Sequence, residues 1–291
     1  MYICIDIGGT AIKYALANAA GELQAVQEMA TGAEKGAAEI VARVDQIIAS
    51  FQGQNVEGVA ISTAGVVDAE KGTILYALPA VLPGYTGWNW KDHIEEKFHV
   101  PCAVENDVNC AALGELWRGA GRGYDSLVCV TVGTSIGGAI VVDKKILHGA
   151  SHSAGEIAFM EVHGQQLYTL ATTTRLVADV ARAKGVEATL NGKDVFALAK
   201  RGDVAAQQGI DAFTKHLAAG LINMMALLNP PLIVLGGGIM AQGEVLRPLL
   251  ERYIRQGTAP ALYEHTKLAF ASLGNQAGMV GALYHFLQEQ D

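Results

Sequence analysis

The sequence predicts an α/β protein made of two similar halves. Three observations predict it. Short apolar runs alternate with amphipathic helical stretches, the pattern of α/β layers around a largely parallel sheet. A strand, a glycine–threonine turn and a second strand open the chain, and the same arrangement returns at Leu127. Three glycine clusters each follow directly on an apolar strand, and ligands of α/β sheets lie outside the carboxyl ends of strands.

In order, strands are expected at Tyr2–Ile7, Ile12–Ala17 and Gln24–Met29. An amphipathic helix follows near Ala37–Ser50, then a strand at Val56–Ile61. Trp90–Phe98 reads as helix, Pro101–Val104 as strand and Val108–Trp117 as helix. The pattern then restarts: strand Leu127–Val132, turn Gly133–Gly138, strand Ala139–Val142. Helices near Thr172–Lys184, Val195–Lys200 and Val204–Leu228 precede the strand Leu232–Leu235, which runs into Gly236–Ile239. The expected division is 1–118 and 119–275, with a helix at about 276–291 packing back on the first half.

Bulk properties narrow the function. The 291 residues are 51% hydrophobic and 17% charged, enough for a large core and unlike a disordered chain. Net charge is −8 with no basic run, which argues against nucleic acid as a partner. No stretch is apolar enough to span a bilayer, and no charged segment precedes a signal-like apolar run, so a cytoplasmic protein is expected. The four cysteines lack paired spacing and read as buried thiols rather than a disulfide or metal framework.

The first turn raises the chemical question. Gly8, Gly9 and Thr10 suit a tight hairpin, in which glycine adopts the required torsions cheaply. A hairpin does not explain Asp6 within an apolar strand, where an acid is usually paired or holds a cation. Neighbouring backbone N–H groups would suit phosphate. Neither a GxxxxGK[ST] loop nor a GxGxxG fingerprint with its later acid is present, so P-loop and dinucleotide readings fit poorly.

Taken together, DIGGT at Asp6–Thr10, STAGVVD at Ser62–Asp68, ENDVNCAALGE at Glu105–Glu115, GTSIGG at Gly133–Gly138 and LGGGI at Leu235–Ile239 resemble the ROK sugar kinases. The resemblance spans essentially the whole chain. It implies the two-lobed actin-like ATPase (ribonuclease H-like) fold, with a nucleotide and sugar cleft between the lobes, and a homodimer acting on ATP and a small sugar. It places Gly8, Gly9 and Thr10 at the transferred phosphates and Asp6 near Mg²⁺, which takes oxygen ligands and keeps several waters. Gly133, Thr134, Ser135 and Gly137 would cradle phosphates, and Gly236, Gly237 and Gly238 would approach the adenosine. Ser135 stands where the family commonly has glycine, and its hydroxyl can donate to phosphate. Asp107 would be the base that takes the sugar hydroxyl proton. Ser62, Gly65, Asn106 and Glu156 would face the sugar. ROK repressors carry an additional N-terminal DNA-binding domain, and a strand starting at Tyr2 points to a kinase instead.

The chain departs from the family where most members carry a cysteine-rich zinc motif. Phe159 stands in place of the zinc- and sugar-contacting histidine, and Tyr168 in place of a second sugar-binding glutamate. No cysteine follows Cys129, and a structural zinc site needs about four N/S ligands, so no zinc is expected. His148, His152 and His163 read as scattered surface residues. Losing polar partners at the sugar's C1–C2 edge disfavours plain glucose and points to N-acetylmannosamine, with β-glucoside kinase or glucokinase as alternatives. A sugar-binding sensor that has lost catalysis is the alternative from another class.

Overall fold

The computed structural model describes residues 1–186 and 190–290. Its elements in chain order are β1 (Tyr2–Ile7), β2 (Ala11–Ala17), β3 (Leu23–Ala30), α1 (Ala37–Ser50), β4 (Gly58–Thr63), α2 (Trp90–Phe98), β5 (Cys102–Asn106) and α3 (Asp107–Arg118). Then come β6 (Leu127–Val132), β7 (Ile136–Val142), α4 (Thr173–Lys184), α5 (Gly192–Lys200), α6 (Val204–Leu228), β8 (Leu232–Gly236), α7 (Gly243–Gly257), β9 (Lys267–Phe270) and α8 (Ala277–Gln290). The expected helix at about 276–291 is α8, with residue 291 outside the described residues. Helix α7, strand β9 and a short ribbon of Val66–Asp68 with Thr73–Tyr76 escape the sequence reading.

The chain forms two compact units. Unit 1 comprises Met1–Gly123, Lys144–Ala154 and the residues from Asn275 onward; unit 2 comprises Tyr124–Asp143 and Gly155–Gly274. Segment 144–154, which a division at residue 118 places in the second half, belongs to unit 1. There Gln288 Nε2 donates to the Lys144 carbonyl at 3.0 Å and His148 bonds Glu105.

Unit 1 is built on a sheet of order β3-β2-β1-β4-β5. The sheet is mixed rather than largely parallel: β1 pairs antiparallel with β2 and parallel with β4, and β4 pairs parallel with β5. A tight glycine turn can only return the chain antiparallel, so each such turn adds an antiparallel pair. Side chains alternate between the sheet's faces. One face presents Ile3, Ile5, Ile7, Val59, Ile61 and Val104 to a core shared with α1 and α2. The other presents small residues, Cys4, Ala15, Ala60 and Ala103, to Met279, Leu283 and Phe286 of α8. Helices α3 and α8 cross closely over this face: a Cβ on Gly281 would collide with the Cys110 carbonyl oxygen, and one on Gly114 with that of Ala277.

Unit 2 repeats the connectivity. Strand β6 pairs antiparallel with β7 and parallel with β8, which pairs parallel with β9. Its core joins Val128, Val130, Ile233 and Leu235 with Phe213, Leu217 and Leu221 of α6. Good caps start the helices: Thr172 on α4, an Asn191–Asp194 capping box on α5 and Asp203 on α6. Among the described residues no helix is long and apolar enough to cross a membrane. All four cysteines are buried, and burial pushes the Cys4 thiol up to about 12.

The backbone contact of α3 with α8 is testable. Gly281→Ala should lower the thermal midpoint, because forced overpacking costs about 1–3 kcal/mol. That exceeds the ~1 kcal/mol alanine gains over glycine inside a helix. An unchanged or raised midpoint would show that the helices separate at no cost.

Candidate active site

In unit 1 the parallel strands β1, β4 and β5 end together, and their register aligns one polar row. Asp6 lies opposite Lys13 on β2 and Ser62 on β4, and Ser62 lies opposite Glu105 on β5. Residues paired this way share a face, so Lys13, Asp6, Ser62 and Glu105 form a line at the carboxyl end of the small-residue face. Ser62 Oγ donates to Asp6 Oδ1 at 2.6 Å, and Lys13 Nζ stands 3.8 Å from Asp6 Oδ2. Burial raises the Asp6 pKa, and the Ser62 hydrogen bond and the Lys13 charge offset this only in part. Helix α8 begins against the pair: a Cβ on Gly278 would sit 2.8 Å from Asp6 Oδ1 and 3.0 Å from Ser62 Oγ. Asp6 is a largely buried carboxylate held by Ser62 and Lys13, and one such oxygen ligand beside phosphates is enough for Mg²⁺, which needs few protein ligands.

The turn after β1 is tight, for a reason other than the expected one. Gly8 N–H donates to the Ala11 carbonyl at 3.0 Å, and Thr31 Oγ1 donates to the Gly8 carbonyl at 2.6 Å. Neither Gly8 nor Gly9 has a positive φ. Gly9 is crowded instead, since a Cβ there would lie 2.7 Å from Cγ1 of the exposed Val81 and would have to push that side chain aside. Thr10 is exposed, and its carbonyl accepts from Thr31 N–H at 2.9 Å.

Asp107 is the first residue of α3, and its cap is Asn106 rather than Asp107 itself. Asn106 Oδ1 accepts from Val108 N–H at 2.9 Å and Asn109 N–H at 3.1 Å. Its amide donates to the Gly65 carbonyl at 2.9 Å and to Asp107 Oδ1 at 3.0 Å. Val108 N–H also reaches Asp107 Oδ1, at 2.9 Å. Asn106 thus uses both lone pairs and both donors inside the protein, and a sugar hydroxyl could engage it only by displacing one of them. Gly65, with φ +112, leaves no room for a side chain: a Cβ would lie 2.7 Å from the Tyr76 carbonyl oxygen.

Behind this corner sits a pair that sequence reasoning missed. Glu105 is fully buried, yet its carboxylate accepts from Asn106 N–H, from Asn109 Nδ2 at 3.0 Å and from His148 Nε2 at 2.6 Å. Burial pushes its pKa up, but His148 and the charge of His285 outweigh this, and the carboxyl ends below its usual range. The Glu105 bond raises the His148 pKa. His148 is therefore not the scattered surface residue expected. The signal is present in the sequence, because Glu105, like Asp6, is an acid closing an apolar strand.

In unit 2 the expected turn over Gly133–Gly138 is shorter. Gly133 N–H donates to the Ser135 carbonyl at 2.8 Å, and β7 already starts at Ile136, so Gly137 and Gly138 are strand residues. Thr134 and Ser135 are exposed. Gly238 joins Gly133, Thr134, Thr173, Val177 and Asn191 around a cavity of about 740 Å³, so the second and third glycine clusters share one site. Gly237, with φ +95, packs against Val132, and Gly236 is buried at the end of β8. A second cavity of about 780 Å³ lies along α5, α6 and α7 and touches no glycine turn.

Glu156 is set by a close backbone approach. A Cβ on Gly138 would fall 2.6 Å from the Gly155 carbonyl oxygen, and one on Gly155 equally near that of Gly138. Partial burial raises the Glu156 pKa. Phe159 and Tyr168 are 64% and 41% exposed, with rings edge to face at 6.2 Å. They are not core residues. Among the described residues no three His, Cys, Asp or Glu side chains are grouped to hold a metal ion.

Comparison with known proteins agrees with this layout. A β-glucoside kinase of Listeria monocytogenes is 32% identical over 98% of this chain and 97% of its own. A Listeria monocytogenes protein provisionally described as an N-acetylmannosamine kinase superposes with a TM-score of 0.90 at 29% identity, over 100% of this chain and 99% of its own. A ROK family glucokinase from Streptomyces griseus, solved with glucose and AMPPNP, gives 0.81 at 29% identity, over 100% and 99%. The duplicated strand connectivity is that of the actin-like ATPase fold these kinases share. With the ROK family profile matching residues 2–289, the chain belongs to the ROK family.

Proposed function

We propose that the protein is an ATP-dependent sugar kinase that transfers the γ-phosphate to the 6-hydroxyl of a hexose. The observation that carries this reading is the corner where β1, β4 and β5 end, with Asp6 and Ser62 joined and Asp107 held at the start of α3. Phosphoryl transfer needs positioning, charge neutralisation and a base within hydrogen-bond reach rather than covalent chemistry. Asp107 is the base: Asn106 and Val108 hold its Oδ1 and orient the carboxylate to take the hydroxyl proton. Asp6 would hold Mg²⁺, which when bound with ATP neutralises charge on the transferring phosphates. The turn Gly8–Thr10 offers phosphate contacts in unit 1. The cavity at Gly133, Thr134 and Gly238 is the nucleotide site, its glycines admitting the adenosine to the backbone. A protein of this kind is cytoplasmic, and ROK kinases suggest a homodimer.

The sugar is N-acetylmannosamine, with a β-glucoside as the alternative that the 32% identical relative supports. Phe159 and Tyr168 replace polar partners by exposed aromatic surface. Such a surface accommodates an N-acetyl group or an aglycone better than the bare hydroxyls of glucose.

Asp107→Asn should fold as the parent does, by circular dichroism, and lose roughly 10²–10⁴-fold in kcat measured by coupled ADP release. Parental turnover in this variant would remove Asp107 as the base. Over a sugar panel, kcat/KM should favour N-acetylmannosamine over glucose by roughly tenfold to a hundredfold, the worth of one unmatched buried polar group. Phe159→His combined with Tyr168→Glu should move the preference back toward glucose. Equal efficiency on glucose and substituted sugars would refute the specificity reading, and no turnover on any sugar would favour a sensor.

A further inference from the structure

Glu105 presents a problem that the catalytic reading leaves open. A fully buried carboxylate is costly unless every lone pair finds a partner. Here the partners are not arbitrary. Oε1 takes the N–H of Asn106 and the side-chain amide of Asn109, one residue before and two residues after Asp107. The same carboxylate therefore ties the last strand residue to the first turn of α3, across the position of Asp107. The opposite oxygen, Oε2, is held by His148 at 2.6 Å. His148 comes from the segment Lys144–Ala154, which unit 1 receives between two stretches of unit 2.

That segment is itself fixed. Ala154 N–H donates to the His148 carbonyl at 3.0 Å, closing the loop, and the His152 ring lies 5.9 Å from that of His148. Asp68 and Glu289 contribute negative charge towards His148, and His285 contributes positive charge towards Glu105. The surroundings thus hold an imidazole pointed at a carboxylate, with only 30% of the His148 side chain exposed.

We infer that His148 and Glu105 are positioning residues for Asp107: the imidazole fixes the buried carboxylate, and the carboxylate fixes the strand-to-helix corner that aims the base. Neither residue touches the transferred proton. Loss of His148 leaves Glu105 held by Oε1 alone, free to swing and to release the Asn106 N–H and Asn109. A small misplacement of a catalytic group is enough to cost rate steeply. The inference rests on Asp107 as the base.

The test uses the full chain, with N-acetylmannosamine and glucose as probes and coupled ADP release as readout. His148→Ala should lower kcat roughly tenfold to a hundredfold, with KM for ATP unchanged. His148→Gln, whose amide can donate to Glu105 in place of Nε2, should recover kcat to within about threefold of the parent. Glu105→Gln should resemble His148→Ala, because it removes the charge that collects the three donors. In the Asp107→Asn background, His148→Ala should have no further effect, since there is no base left to aim. Full kcat in His148→Ala, no rescue by His148→Gln, or fully additive losses with Asp107→Asn would each overturn the positioning role. Asp107→Asn at parental turnover would instead show that the base is elsewhere. The two failures are distinguishable.

Discussion

The close crossing of α3 and α8 is the constraint on which the chemistry of unit 1 depends. It requires small residues twice over: glycines where backbones touch, at Gly114 and Gly281, and cysteine or alanine on the sheet face beneath. The large β-branched residues of the same strands all turn to the other face, against α1 and α2. This division leaves the small-residue face shallow enough for α8 to begin beside Asp6 and Ser62, with Gly278 against both. A side chain at Gly278 would displace the Asp6 carboxylate. The position of one acid at the end of a strand is therefore tied to the first turn of α8, beside the point where that helix meets α3.

Unit 2 solves a similar problem with glycine alone. Gly138 and Gly155 bring β7 against the segment leading to Glu156, and Gly237 lets the turn after β8 close over Val132. The two units share strand connectivity but use their first turns differently. Unit 1 packs Val81 on Gly9, whereas unit 2 leaves Thr134 and Ser135 exposed at the rim of a cavity. Duplicated topology supplies two sets of strand ends, and the residues placed there make the sets chemically different.

Much of this was legible in the sequence. The alternation of apolar runs and amphipathic helices located most elements, and the repeat at Leu127 disclosed the duplicated connectivity, because period and turn chemistry are local signals. Asp6 and the glycine clusters stand out as polar or flexible residues in apolar context, whereas Asp107 is marked only by the resemblance that ENDVNCAALGE carries. What escaped was relational. No local pattern shows that Glu105 and His148, 43 residues apart, share a hydrogen bond. Nor does any show that Asn106 rather than Asp107 caps α3, or that a valine from a distant loop packs on Gly9. The sequence reads as a largely parallel sheet, and the sheet is mixed, because a glycine turn signals a reversal without saying how much of the sheet it builds.

The polar row at the sheet's edge shows how position and partner divide the work among like residues. Asp6 and Glu105 are both carboxylates, both largely withdrawn from water, and both flank Ser62 in register. Burial raises both, yet the outcomes differ in direction. Glu105 has a histidine in direct contact and two amide donors, and it ends below its ordinary range. Asp6 has one hydroxyl and a lysine at 3.8 Å, and it stays above. Environments that push two similar groups apart assign them different roles. Glu105 is already satisfied by the protein and is suited to hold structure in place. Asp6 keeps the Ser62 hydroxyl and the more distant Lys13 ammonium as partners, and burial leaves its carboxyl above the usual range. The difference is encoded in which neighbours the fold brings to each end of the row.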